Sequence, residues 1–475
     1  MPPAALAVKL RHPCQSREVY ANRRGIMPSH PRPYQATRPS TPLRGSVRVP
    51  GDRSIATRAL LVAASAMGET RIAGLSANED TLRAATAMRA LGADVVQGEA
   101  DDPWLVAGRG VGGLAEPAGV LDMGAAAGVT RLLAGLLASH PSFAVLTGDA
   151  TLRGHSIRSV TGPLTACGAR FGSREDGRLP LAVEGASDAL PLDCVLPAAS
   201  ATVKGAVLLA GLNAPGVTEL TEPAATHDHT ENLLRHFGAE VEVERTRDGA
   251  GRVIRLHGQP HLRAADLTVP GDPSLAAYPL VAAVLSPGSA LVIEGVGLNP
   301  LRAGLLETLR EMGASIRVER ARVAGGEPVG DLHVAHAALH GVDIPASRAR
   351  RMIDDYPVLA VAAASARGVT RLRGVGAEVG GGRLAVVAAM LAANGVRVEV
   401  VADDLLVHGA GAPPAGGGLV AARGDHVVAM SALVLGLASA AAVRVDDAGA
   451  VDARFPGFFT LMNGLIAGAP ALQAP

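Results

Sequence analysis

One turn occurs twice in this chain. Val49–Ala64 reads VPGDRSIATRALLVAA, and about 220 residues later Val269–Ala283 reads VPGDPSLAAYPLVAA. Each copy has a strand end, a Pro-Gly turn, and an Asp that opens an apolar helix. The Asp side chain is an acceptor for the unpaired N–H groups of a first helical turn. A duplication of this kind means two related halves. A weaker repeat subdivides them. Helical stretches end in Gly-Ala or Gly-Val and pass into alternating strands at Gly92, Gly168, Gly238, Gly313 and Gly395, with a degraded copy near Gly464. Glycine just after a helix accepts the left-handed conformation that closes it. Six units of about 70–80 residues follow, three per half, in an α/β chain.

Composition narrows what such a chain can do. Of its 475 residues 48% are hydrophobic but only 2% aromatic, so the core must be aliphatic. Stacking platforms for nucleic-acid bases are therefore not expected. The 44 basic and 44 acidic residues cancel, leaving no long-range attraction to nucleic acid or an anionic membrane. Cys14, Cys167 and Cys194 lack metal-ligand or C-x-x-C spacing, which fits a reducing cytoplasm. The apolar, uncharged run 427–443 is broken by Ser431, Gly436 and Ser439. It reads as a buried helix leading into a strand rather than a membrane span. His227-Asp228-His229 lacks a third metal ligand. The glycine-rich stretch 409–418 lacks the Lys-Ser/Thr of a phosphate loop. Residues 1–36 are rich in Arg and Pro without an apolar core segment, so no secretory signal is expected. They read as a disordered extension, or as a start placed too early with Met27 as the true one.

The motifs VPGDRSIATRALL, TGDATLRGHSI, SATVKGAVLLAGLNAPG, DHTENLL, GLNPLR, EMGASI, MIDDYPVLAVAAA, GDHVVAM and RFPGFFTLM occur in order between about Leu43 and Gly464. Together they resemble the 5-enolpyruvylshikimate-3-phosphate synthase family, and within it the glyphosate-tolerant bacterial branch. The resemblance implies the enolpyruvyl transferase fold: two domains, each of three βαβαββ units around a pseudo-threefold axis, with the active site in the interdomain cleft. It places the crossings near Pro50-Gly51 and Pro270-Gly271, on the repeated turn. One domain is then 37–50 plus 270–475, and the other 51–269.

The implied reaction is transfer of enolpyruvyl from phosphoenolpyruvate to the 5-hydroxyl of shikimate 3-phosphate, in the shikimate pathway to aromatic amino acids. It needs no metal or organic cofactor. Two anionic substrates call for Arg clusters, a proton-moving carboxyl and a cleft that excludes water. By residue-to-residue resemblance, Ser54, Arg58, Ser200 and Ala201 contact substrate. Arg53 stands for the family lysine and Thr202 for its glutamine. Asp354 meets the reacting hydroxyl, and Arg383 is the surviving arginine of a catalytic loop. Ala127 and His155 fall beside the phosphoenolpyruvate site. The resemblance also implies a cytoplasmic monomer, with no nucleic-acid or membrane partner.

Several family motif positions are changed. Gly124-Ala125-Ala126-Ala127-Gly128 lacks two hydrogen-bonding side chains, and the family arginines are His155, His227 and Val427. The family lysine and glutamate of the catalytic loop are Val379 and Gly380. Two lost arginines weaken anion binding by about 10²–10⁴-fold. A lost acid/base costs roughly as much again in rate. Glu378, Arg373, Arg153 and Arg158 are the candidates to compensate. Two readings stay open: a working transferase, or an impaired or repurposed relative that binds a phosphorylated small anion. A UDP-N-acetylglucosamine enolpyruvyl transferase is disfavoured because no cysteine falls in a suitable loop.

Overall fold

The structure is a computed structural model that describes residues 32–99, 102–467 and 471–474. Among these residues the strands form six four-stranded sheets. All six repeat one plan: a parallel pair of strands, and a further two strands added antiparallel beside it. Six helices lie beneath them: α1 (Arg53–Ala64), α2 (Ala127–Ala138), α3 (Ala201–Gly211), α4 (Pro273–Leu285), α5 (Tyr356–Ser365) and α6 (His426–Ala438). They are apolar on nearly every side and almost wholly buried, as helices enclosed by sheet and sister helices must be. The run 427–443 is accordingly α6 followed by the strand Val443–Val445.

The hydrophobic interior is divided in two. One core draws on Ile55 to Val269 and contains α1–α3; the other draws on Ala36 to Val49 and Leu275 to Leu472 and contains α4–α6. Small residues let these helices approach closely. A Cβ at Gly135 of α2 would lie 2.1 Å from the Ala206 carbonyl oxygen of α3.

The repeated turn carries an exchange of strands. β1 (Arg44–Val47) precedes α1 in sequence but pairs parallel with β4 (Ala290–Gly297), which follows α4. β3 (Leu267–Thr268) precedes α4 but pairs parallel with β2 (Met67–Ala73), which follows α1. Each half thus completes its first sheet with a strand from the other copy of the turn. The two crossings meet as an antiparallel bridge, Gly51 with Gly271. Asp52 N–H donates to Pro270 O at 2.8 Å, and Asp272 N–H donates to Pro50 O at 2.9 Å. A side chain at Gly51 is excluded, because its Cβ would fall 2.2 Å from the Gly74 carbonyl oxygen.

The helix-ending glycines behave as their spacing suggests, with φ of 91° at Gly92, 97° at Gly238, 97° at Gly313 and 78° at Gly395. The next N–H closes each helix from outside, as in Ala93 to Met88 O and Ala314 to Leu309 O, both part of a Schellman end. Gly464 departs from the pattern, since its helix ends at Leu465 in a right-handed conformation. One expectation needs correction. Residues through 36 were expected to be a disordered extension, but Tyr34–Ala36 is a strand between Val443–Val445 and Leu472–Gln473. The last sheet lacks a hairpin of its own, and Tyr34–Ala36 and Leu472–Gln473 supply the two antiparallel strands that a hairpin would give. The remainder of that extension, residues 1–31, and the alternative start at Met27 lie outside the described residues. No helix among the described residues is long and apolar enough to cross a membrane.

Candidate active site

The two repeated aspartates begin the site. Asp52 Oδ1 accepts from the N–H groups of Ser54 (2.7 Å) and Ile55 (3.1 Å), capping α1. Asp272 Oδ1 accepts from Ser274 N–H at 2.9 Å, capping α4. Both carboxylates are buried, so each needs a cation. Arg302 supplies it to both: Nη1 lies 3.2 Å from Asp52 Oδ2 and Nη2 lies 3.3 Å from Asp272 Oδ1. Its Nη2 also donates to Ser274 Oγ at 3.0 Å, and Arg454 Nη2 holds Asp272 Oδ2 at 2.9 Å. Arg302 therefore ties the helix starts of the two halves together. Burial pushes the Asp52 carboxyl up, but Arg302, His229, the Ile55 N–H and Arg454 outweigh it and hold it at about 2.

Beside this knot lies a cavity of about 260 Å³. Arg53, Ser54 and His227 face it from one half; Arg350, Arg351, Asp354, Asp355 and Arg454 face it from the other. Of the residues expected from sequence, Arg53, Ser54 and Asp354 are thus brought together. Arg53 is half exposed, with Nη1 2.9 Å from Asp80 Oδ2. Arg383 stands next to Asp354, with Nη1 3.6 Å from its Oδ1, and is fixed by Nε at 2.8 Å from Asp425 Oδ2. Asp425 in turn caps α6.

Arg58 is buried behind Ser54. Its Nη1 donates to Ser54 O (3.0 Å) and Oγ (2.5 Å), Nε to Thr230 Oγ1 (2.8 Å), and Nη2 to Ala201 O (3.1 Å). It joins three sequence motifs: the repeated turn, SATVKGA and DHTEN. Ser200 caps α3 through its Oγ, and Ala201 and Thr202 form the first turn. Ala127 opens α2, whose first N–H groups have no side-chain cap. His155 is exposed at the end of the short helix Ala150–Gly154. Ser200, Ala201, Thr202, Ala127 and His155 do not line the 260 Å³ cavity.

The altered positions are equally plain. Gly380 has φ 81° and ψ 143°, and nothing lies within 4 Å of where its Cβ, or that of Gly381 or Gly382, would stand. Glu378 is held by Arg350, Nη2–Oε1 2.8 Å and Nε–Oε2 3.3 Å, and Arg350 lines the cavity. Arg373 is occupied on the surface by Asp343. His227 does not replace an arginine electrically. Burial, and then the nearby His229, Arg58, Arg302 and Lys204, press its imidazole well below its ordinary range, so it is neutral at pH 7. It stacks on His229, centroids 4.4 Å apart. His229 Nδ1 is 2.8 Å from Glu327 Oε1 in the other half, so this pair is committed to the junction between halves.

Sequence reasoning missed Arg302, Arg350, Arg351, Arg454 and Asp355. Two buried capping carboxylates imply a shared cation, and that was the available signal for Arg302. Asp355 is the most unusual group in the wall. Burial raises its carboxyl to about 7; Arg302 and a Ser274 hydrogen bond oppose the rise, while Asp354 and Asp272 add to it. Its Oδ1 has no hydrogen-bond partner among the described residues.

This arrangement matches known proteins along nearly the whole chain. Residues 37–462 fit the family model described as EPSP synthase (3-phosphoshikimate 1-carboxyvinyltransferase). The 3-phosphoshikimate 1-carboxyvinyltransferase of Granulibacter bethesdensis is 60% identical over 439 residues, covering 91% of this chain and 96% of that protein. That of Acidiphilium cryptum is 57% identical, covering 91% and 97%. EPSP synthase from Acinetobacter baumannii superposes with a TM-score of 0.86 at 34% identity, covering 93% of this chain and 99% of that one. The enolpyruvyl transferase NikO from Streptomyces tendae shares the fold at 20% identity, with a TM-score of 0.71 and coverage of 93% and 99%. The chain belongs to the EPSP synthase family.

Proposed function

We propose that this chain transfers the carboxyvinyl group of phosphoenolpyruvate to the 5-hydroxyl of shikimate 3-phosphate, releasing phosphate, in the shikimate pathway. The observation that carries the reading is Asp354 on one wall of the cleft with Arg53 and Ser54 on the other. Asp354 takes the 5-hydroxyl proton as that oxygen bonds to C2 of phosphoenolpyruvate and C3 gains a proton; loss of a C3 proton with the C2–O bond to phosphate then restores the double bond, and Arg383 orients Asp354. Arg53, Ser54, Ser200, Ala201 and Thr202 hold shikimate 3-phosphate, with Arg58 positioning Ser54 from behind. Ala127 and His155 belong to the phosphoenolpyruvate side, which the two halves complete on closing. The domains are 37–50 plus 270–475 and 51–269, and the protein works as a cytoplasmic monomer.

The test is phosphate release from both substrates by the chain and by Asp354→Asn. The expected result is turnover that falls on the order of 10²-fold or more in the variant while shikimate 3-phosphate still binds. A variant as active as the parent removes Asp354 from the chemistry.

A second reading is favoured by one observation: Val379, Gly380 and Val427 leave that loop and helix start without the charged side chains of the family motif. On that reading the cleft binds a phosphorylated carbocycle without turnover. Binding with no phosphate release would select it.

A further inference from the structure

A second constellation shares no lining residue with the cleft cavity. Strands Val241–Arg245 and Arg252–His257 pair antiparallel, with Glu242 opposite Arg255. His257 N–H donates to Glu240 O at 3.1 Å, so His257 stands opposite Glu240. Alternation along a strand puts Glu240 and Glu242 on one face, next to His257. Their ligand atoms all lie within 4.8 Å of one another. Two carboxylates this close repel unless a cation joins them. Neither has an ion-pair partner among the described residues. The neighbouring Arg255 is taken by Glu219 at 2.5 Å and Glu244 at 2.9 Å. A separate observation points to the same place. A cavity of about 650 Å³ opens beside Glu240 and His257, with His236, His261 and Arg263 also in its wall.

We propose that Glu240, Glu242 and His257 bind a divalent first-row transition ion of the zinc class. Mixed imidazole and carboxylate donors select zinc, nickel or copper over magnesium and calcium, which favour all-oxygen sites. The ion joins two strands of one sheet and stabilises the half built on α1–α3.

The test is calorimetric titration of the full chain, without a histidine tag, with zinc and with magnesium, alongside thermal unfolding. One equivalent of zinc should bind and raise the unfolding temperature; magnesium should do neither. His257→Ala should weaken zinc binding on the order of tenfold or more, and Glu242→Gln should weaken it as well. Both variants should bind shikimate 3-phosphate like the parent. Glu242 is exposed, so its variant tests the site even if His257→Ala fails to fold. No zinc binding, or zinc binding unchanged in both variants, overturns the proposal. Loss of zinc binding in His227→Ala instead would place the ion in the cleft and overturn it too.

Discussion

Replacing Arg302 with Met should show what holds the two helix starts together. The methionine keeps much of the volume but removes the charge. Asp52 then loses its one side-chain ion pair among the described residues, while Asp272 keeps Arg454. Ser274 Oγ loses a donor. Breaking a buried pair by deleting one partner costs about 3–5 kcal/mol, because the remaining charge stays buried. Part of that cost is readable in pH. The Asp52 carboxyl is held at about 2 against an ordinary 3.8. The difference amounts to about 2 kcal/mol. Being a depressed carboxyl, it stabilises the fold above about pH 4 and loses that effect as pH falls toward 2. Urea unfolding at pH 7 should therefore show R302M about 3–5 kcal/mol less stable, with the gap narrowing in acid. The double variant with Asp52→Asn should recover about 1–3 kcal/mol relative to additivity. A loss under about 1 kcal/mol at pH 7, or strict additivity, would refute the linkage.

Three further outcomes follow from the same reasoning. The native Asp355 keeps its proton up to about pH 7 whereas the unfolded chain releases it near 3.8, so this group destabilises the fold as pH rises between those values. Asp355→Asn should match the parent near pH 4 and exceed it by up to about 4 kcal/mol at pH 8 in urea unfolding; a constant difference would contradict this. Gly135→Ala should lose about 1–3 kcal/mol, since its Cβ has no room beside Ala206; an unchanged denaturation midpoint would show that α2 and α3 can separate. Lys204 is fully buried between Glu231 at 2.8 Å and Glu222 at 3.4 Å. Lys204→Met should cost about 3–5 kcal/mol in urea unfolding at pH 7; a loss under about 1 kcal/mol would show that the two carboxylates do not depend on it.

Much of the architecture could be read from the chain because it depends on local rules repeated many times. The Asp of each repeated turn had to cap a helix, and the glycines at Gly92, Gly238, Gly313 and Gly395 had to turn left-handed. The apolar run around Met430 had to be buried. Other features are set by distant pairing. That β1 completes the sheet of the opposite half, or that Tyr34–Ala36 closes the last one, leaves no trace in local pattern. The site divides in the same way. Ser54 and Asp354 were legible because they sit in ordered motifs. Arg302 and Arg454 sit in quoted motifs too, but they were not singled out, nor was Arg350, because a surface arginine and a buried one look alike in sequence, and only the fold sets their carboxylate partners. Glu378 shows the converse, a plausible substitute acid that the fold has already paired with Arg350.

On the proposed function the cleft, with Val379, Gly380 and Val427 in place, still performs carboxyvinyl transfer. The most direct measurement mixes the chain with shikimate 3-phosphate and phosphoenolpyruvate and follows both phosphate release and formation of the carboxyvinyl ether by nuclear magnetic resonance. Both products should form in equal amounts, and on the order of 10²-fold or more slowly with Asp354→Asn. Bound shikimate 3-phosphate without either product would contradict that function and leave a binding protein built on the family fold.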